Sequence, residues 1–167
     1  AMFIGNWRHR PNRDCARWLV HEVWPHVRAR LPDLELSLFG ANQAPEDAVL
    51  SDEGAGILVR GHCRCVATAM RWHRLLVAPL RFGAGVKGKI TDAMRNGLVA
   101  VTTPVGAEGI ARGGEAFPGV VVKEGAEDAE GFASALVDAY RNAEAWTQLQ
   151  ARALELVAGR FDGAANG

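Results

Sequence analysis

The sequence of 167 residues predicts an α/β fold, a three-layer α/β/α domain around a parallel sheet of about six strands. Two observations carry that expectation. Short apolar runs alternate with segments of helical periodicity along the chain, the pattern of strands joined by crossover helices. The longest runs, Leu75 to Leu80 (LLVAPL) and Leu98 to Thr103 (LVAVTT), are nearly continuous in apolar character, as in strands buried on both faces.

The elements follow in order. Phe3-Ile4, ended by Gly5, is a short first strand. Residues 12–31 read as a helix capped by Asn12, with Ala16, Val20, Val23, Val27 and Leu31 on one side and Pro25 set to kink or break it. Leu34 to Phe39 is a strand closed by Gly40, and Pro45 can open a short helix in the polar stretch after it. Ile57 to Val59 is a brief strand ending at Gly61, and residues 63–71 suit a helix. After the 75–80 strand come a glycine-rich loop at 82–88 and a helix over 89–96. The 98–103 strand leads into a glycine-bearing loop at 106–114, and Gly119 to Lys123 (GVVVK) is the last strand. Two helices, 128–142 and 144–158, close the chain. Phe132, Leu136 and Tyr140 align on the first, and Trp146, Leu149, Ala153 and Val157 on the second.

Hydrophobic residues at 49% and charged residues at 23% exclude a disordered chain, and the length suits one domain spanning residues 1–167. No stretch approaches the roughly 18 apolar residues of a membrane span. The opening AMFIGN lacks the basic and apolar regions of a secretory signal, and three cysteines cannot form a fully paired framework. A cytoplasmic, reducing location is therefore expected. The net charge is zero, but residues 1–30 carry +4 and residues 61–112 carry +6, while 31–60 and 113–167 carry −5 each. Two basic blocks in a neutral chain fit a local anionic ligand better than a surface that coats nucleic acid.

A parallel sheet binds ligands beyond the carboxyl ends of its strands. Gly5, Gly40, Gly61, the 82–88 loop and the 103–109 loop are expected on that one edge. The sharpest local signal is Arg81-Phe82-Gly83-Ala84-Gly85-Val86-Lys87-Gly88-Lys89, between a buried strand and a helix. Glycines let a backbone approach a ligand, helix-opening N–H groups attract phosphate, and Lys87, Lys89 and Arg81 add charge. The alternative is a tight turn with solvated lysines. Gly83, Gly85 and Gly88 satisfy G-x-G-x-x-G, a weak pattern away from the first strand. The loop nearly matches a Walker A motif, but Ile90 stands where Ser or Thr must hold magnesium, which excludes an NTPase. Cys63 and Cys65, two apart on the predicted helix, point in different directions and make no zinc set with His62 and Cys15. The five tryptophans read as packing residues. Asp92 stands on the first turn of the predicted 89–96 helix, where an acid complements the helix dipole.

FIGNWRHRPNRDCARWLVHEVWP at 3–25, VAPLRFGAGVKGKITDAM at 77–94 and GLVAVTTPVGAEGI at 97–110 resemble the C-terminal half of group 1 (family 4) glycosyltransferases. The resemblance implies a Rossmann-like domain of the two-domain GT-B architecture, the half that binds a nucleotide sugar such as a UDP- or GDP-sugar. It implies a retaining, metal-independent transfer with no further cofactor. The diphosphate falls to Gly83, Gly85, Val86, Lys87, Lys89 and Arg81, and the ribose to Asp92. Gly5, Asn6, Arg8 and His9 are possible first-loop contacts, with Arg10 and Arg13 as further basic residues there.

The match is uneven. Of the two glutamates that relatives space eight apart, the first falls at Ala84 and the second at the shorter Asp92. The Arg and Lys that many relatives carry after the first strand fall at Asn6 and Pro11. No catalytic residue is assigned. The N-terminal acceptor domain is missing from this chain, so the chain alone is expected to transfer no hexose. The full-length protein is expected to associate peripherally with the inner face of the membrane, without nucleic acid as a partner. Two alternatives remain open: a degenerate, non-catalytic interaction domain of the same fold, and a nicotinamide-dinucleotide-binding oxidoreductase domain. The second needs an acid at the end of the strand after the loop, where Thr102 and Thr103 stand.

Overall fold

Six strands form one parallel sheet in the computed structural model, which describes residues 1–111, 114–124 and 127–161. They are β1 (Met2–Ile4), β2 (Leu36–Phe39), β3 (Ile57–Gly61), β4 (Leu75–Ala78), β5 (Val99–Thr102) and β6 (Val120–Val121), in the spatial order β3-β2-β1-β4-β5-β6. Every adjacent pair runs parallel. The order reverses direction between β1 and β4, the switch point at which such sheets open a crevice. The expected α/β/α fold with a six-stranded parallel sheet is therefore present, and it is Rossmann-like.

Among the described residues seven α-helices flank the sheet: α1 (Arg10–Trp18), α2 (Trp24–Arg30), α3 (Val66–Arg71), α4 (Gly88–Arg95), α5 (Pro104–Ala107), α6 (Ala129–Arg141) and α7 (Ala143–Phe161). The strand side chains alternate between two cores. Phe3, Leu36, Leu38, Leu75, Val77, Val99 and Val101 pack with residues of α1, α2 and α6. Met2, Leu76 and Ala100 point the other way, into a core with Met70 of α3, Ile90 and Met94 of α4, and Ala153 and Val157 of α7. No helix among the described residues is long and apolar enough to cross a membrane.

Several boundaries differ from expectation. The first long helix starts at Arg10 behind His9, so Asn12 lies inside it and its side-chain amide donates to the Asn6 carbonyl (3.0 Å). Pro25 does not break the helix. A π turn at Leu19–Val23 stands directly before α2, and the Trp24 N–H reaches the Leu19 carbonyl. Strand β4 ends at Ala78 rather than Leu80, because Pro79 has no N–H for the ladder and the Leu80 N–H turns back to the Ala78 carbonyl (2.8 Å). Cys63 and Cys65 precede α3 instead of lying on it. Helix α5 occupies part of the expected 106–114 loop, of which residues 112–113 lie outside the described residues. Helix α4 opens at Gly88, so Asp92 sits in its second turn, too far along to complement the dipole of its first turn.

Candidate functional site

A cleft of about 310 Å³ lies at the switch point. It is lined by Ile4, Gly5 and Asn6 after β1, Gly40 and Ala41 after β2, and His62 and Cys63 after β3. Asn12 of α1, Val66 and Met70 of α3, and Lys89 and Asp92 of α4 complete it. The carboxyl ends of three adjacent strands thus meet three helix starts. Gly40 is required by close approach: a methyl group there would overlap the Gly5 carbonyl oxygen and the Trp7 ring. That leaves the first two loops in contact, and their backbones form the floor.

Asparagines set the geometry of the floor. Asn6 Oδ1 accepts from the Arg8 N–H (3.0 Å) and from Asn42 Nδ2 (3.1 Å). Asn12 Nδ2 donates to the Asn6 carbonyl, which leaves Asn12 Oδ1 turned toward α4. There it accepts from Lys89 Nζ at 2.5 Å. The Lys89 ammonium also lies 4.4 Å from the centre of the Phe3 ring. Burial, reinforced by the charge of Lys87, lowers the Lys89 pKa to about 8.

The glycine loop stands beside this floor. Gly83 lies against Pro11 at the start of α1, and Gly85 adopts a φ of 76°, a conformation that costs glycine little. Phe82 and Val86 are exposed. Lys87 does not line the cleft. Its ammonium donates to the Gly85 carbonyl and pairs with Glu108 Oε2 at 3.3 Å, just beyond α5. Arg81, expected on the diphosphate, is turned away. Its guanidinium holds both carboxylate oxygens of Asp14, Nε at 2.8 Å from Oδ2, and lies over the Trp18 ring. Arg13 is likewise committed, pairing at 3.0 Å with the fully buried Asp47. Asp92 lines the cleft with its carboxylate 3.3 Å from Arg95. Arg8 and His9 are exposed and lie outside the lining. At the end of β5 the Thr102 hydroxyl donates to the Ala78 carbonyl (2.6 Å) and the Thr103 hydroxyl to that of Leu80, which ties them to β4 and to the turn after it.

The structure therefore brings Gly5, Asn6, Lys89 and Asp92 together, and keeps Lys87 and Arg81 on separate ion pairs. Asn12, Ala41, His62, Cys63, Val66 and Met70 join the cleft without having been expected in it. For His62 and Cys63 the available signal was their place just after a parallel strand.

A parallel sheet of this order, with a cation and a cleft at its switch point and a glycine loop over a helix start, defines a doubly wound α/β domain whose cleft lies where such sheets bind ligands. The comparisons make this specific: residues 1–142 match the family described as Glycosyl transferases group 1, and the chain belongs to that family. A curated relative, an uncharacterized 44.6 kDa protein in the cps region of Klebsiella pneumoniae, is 28% identical over 127 residues, 65% of this chain and 30% of the relative. Among solved structures, a TarM mutant from S. aureus in complex with fondaparinux, α-GlcNAc-glycerol and UDP superposes with a TM-score of 0.79 at 11% identity. That match covers 98% of this chain and 33% of TarM. The C-terminal domain of a group 1 glycosyl transferase, LpcC from Francisella tularensis, gives 0.71 at 14% identity, covering 96% of this chain and 85% of that domain. The chain thus spans about a third of the length of the Klebsiella relative and of TarM.

Proposed function

We propose that this chain is the donor-binding half of a retaining glycosyltransferase of GT-B architecture, and that it holds a nucleoside diphosphate sugar in the switch-point cleft. The observation that carries this reading is the position of Lys89 and Asp92 in one cleft at the reversal of strand order, beside a glycine loop that opens a helix. The UDP held in the TarM complex favours a uridine donor.

In this reading Lys89 and the amides of Gly83, Gly85 and Val86 meet the diphosphate. Lys87 joins them by exchanging Glu108 for phosphate. Asp92 accepts from the ribose hydroxyls, and Gly5 and Asn6 present backbone to the phosphates, with Arg8 and His9 at the rim. Arg81 acts at one remove, by clamping α1 through Asp14 at the base of the loop. The chemical task is to stabilise the negative charge that grows on the departing diphosphate, which fixed N–H groups and ammonium ions do without a metal or further cofactor. The acceptor binds in an N-terminal domain outside this chain, so the isolated chain transfers no hexose. Cytoplasmic placement, with the full-length protein at the inner face of the membrane, belongs to the same proposal.

Calorimetric titration with UDP, GDP and NAD, paired with crystals soaked in each, tests this assignment. Binding of UDP or GDP is expected, with diphosphate density beside Lys89. Binding of NAD alone, or a nucleotide seated away from the switch point, would overturn it.

A further inference from the structure

We propose that Lys89 is the anchor for the diphosphate and that the anion enters the cleft together with a proton bound at Nζ. The inference rests on the donor-binding reading above and adds a linkage that the reading does not require.

The geometry begins with a missing counter-ion. Arg13 pairs with Asp47, Arg30 with Glu130, Arg81 with Asp14, Lys87 with Glu108 and Arg95 with Asp92. Among the described residues no carboxylate oxygen lies within 4.0 Å of Lys89 Nζ, although this ammonium is largely enclosed. Its polar contact is the Asn12 amide oxygen, held in place because Asn12 Nδ2 is committed to Asn6. A neutral amide dipole offsets the burial of a full charge less well than a carboxylate does.

The groups around Nζ reinforce this. From the glycine loop Lys87 repels it. From α1 comes the Cys15 thiol, pushed up to about 12 by its own burial and so neutral across the working range. Asp14 of α1 is taken by Arg81, and β1 offers only the Phe3 ring. On α4 itself, Asp92 reaches the same cleft but pairs with Arg95. Burial and Lys87 thus bring the Lys89 pKa to about 8 in the empty cleft. A diphosphate beside Nζ supplies the missing negative charge and favours the ammonium. Where the amine is neutral, binding takes one proton from the buffer onto its lone pair, and no other bond changes.

Below about pH 8 the amine is already protonated and affinity does not depend on it. Above that, each pH unit costs up to about tenfold in affinity, until the pKa of the occupied site is reached. The phosphate ionisation of UDP near pH 6 lies below this window. The last ionisation of pyrophosphate falls inside it, so the proton uptake of Lys89 is read as the difference between wild type and Lys89→Arg for each probe.

Calorimetry in buffers of different ionisation enthalpy, from pH 7.5 to 9.5, with UDP and with inorganic pyrophosphate, measures the protons taken up. Wild type should take up about half a proton near pH 8 and approach one at higher pH. Lys89→Arg, whose guanidinium stays charged, should bind UDP without uptake and with little pH dependence. Lys89→Met should lose about ten- to a hundredfold in affinity for both probes. UDP binding with no proton uptake, or affinity untouched in Lys89→Met, would overturn the anchor and leave the donor reading standing. Pyrophosphate binding with uptake beyond that of Lys89→Arg, without UDP binding, would support the anchor and remove the nucleotide. Failure of both probes to bind would overturn both.

Discussion

Lys87 and Lys89 are two positions apart, one before the start of α4 and one in its first turn, yet the fold gives them different neighbours. Lys87 has a side chain 12% exposed and already holds a carboxylate, Glu108, which is itself half exposed. A phosphate that recruits Lys87 gains one charge-assisted contact and breaks another. Lys87→Ala is therefore expected to lower UDP affinity by about tenfold, the small end for a charged hydrogen bond, and to leave uridine affinity unchanged. Glu108→Gln removes the competitor and should raise UDP affinity by about threefold, within the range of an exposed ion pair. Calorimetry with UDP and uridine on both variants checks this, and equal losses for nucleotide and nucleoside would take Lys87 out of the site. The string GAGVKGK announces both lysines. It is silent on which is free, because Glu108 lies 21 positions away from Lys87 and Asn12 lies 77 from Lys89.

The long first helix carries a related lesson at the scale of the element. Its buried positions, Cys15, Leu19, Val23 and Val27 beside Ala16, Val20 and Trp24, recur every four residues. On a straight α-helix of 3.6 residues per turn that pattern drifts by about 40° per turn, or about 120° from Cys15 to Val27. One extra residue in a π turn takes up about 100° and keeps the row facing the sheet. The turn stands just before Pro25, whose missing N–H an uninterrupted helix would feel as a lost bond and a clash. Deleting the exposed His21 should therefore restore ordinary α spacing with the same buried face, at a cost of about 3 kcal/mol set by Pro25 in a helix interior. Adding Pro25→Ala should recover most of that loss in urea unfolding. The strands were legible because burial on both faces writes itself as an apolar run. Pro45 likewise announced the short helix it opens, a 3₁₀ turn at Pro45–Leu50. The π turn and helix α5 were not legible, since their hydrogen-bond patterns answer to packing across the sheet. The alternation of elements gave the edge on which the loops meet, but not which of them form the cleft. That depends on strand order, which places β1 between β2 and β4.

For the molecule as a whole, an unpaired cation in the cleft is a cost to global stability. Lys89 titrates near 8 in the fold against an ordinary value of 10.5. Below about pH 8 both folded and unfolded chains carry the proton, and the fold bears the full penalty of enclosing the charge. Between about pH 8 and 10.5 the unfolded chain binds more protons than the folded one, so this contribution makes stability rise with pH; above that window the penalty is gone. Lys89→Met keeps a long, flexible stem and removes the charge. At pH 7 the variant should be more stable than wild type by about 2 kcal/mol, or about 4–8 °C in Tm for a chain of this size. The difference should shrink as the pH approaches 10. UDP at a hundred times the wild-type Kd should erase most of the difference, because it adds about 2.7 kcal/mol to wild type and about 0.4–1.4 kcal/mol to a variant whose affinity is about ten- to a hundredfold lower. Urea unfolding at pH 7 and at pH 9.5, with and without UDP, measures all three. A variant less stable than wild type at pH 7 would mean that Lys89 holds the fold together through Asn12 and Phe3, and that the cleft has no stored charge to offer an incoming anion.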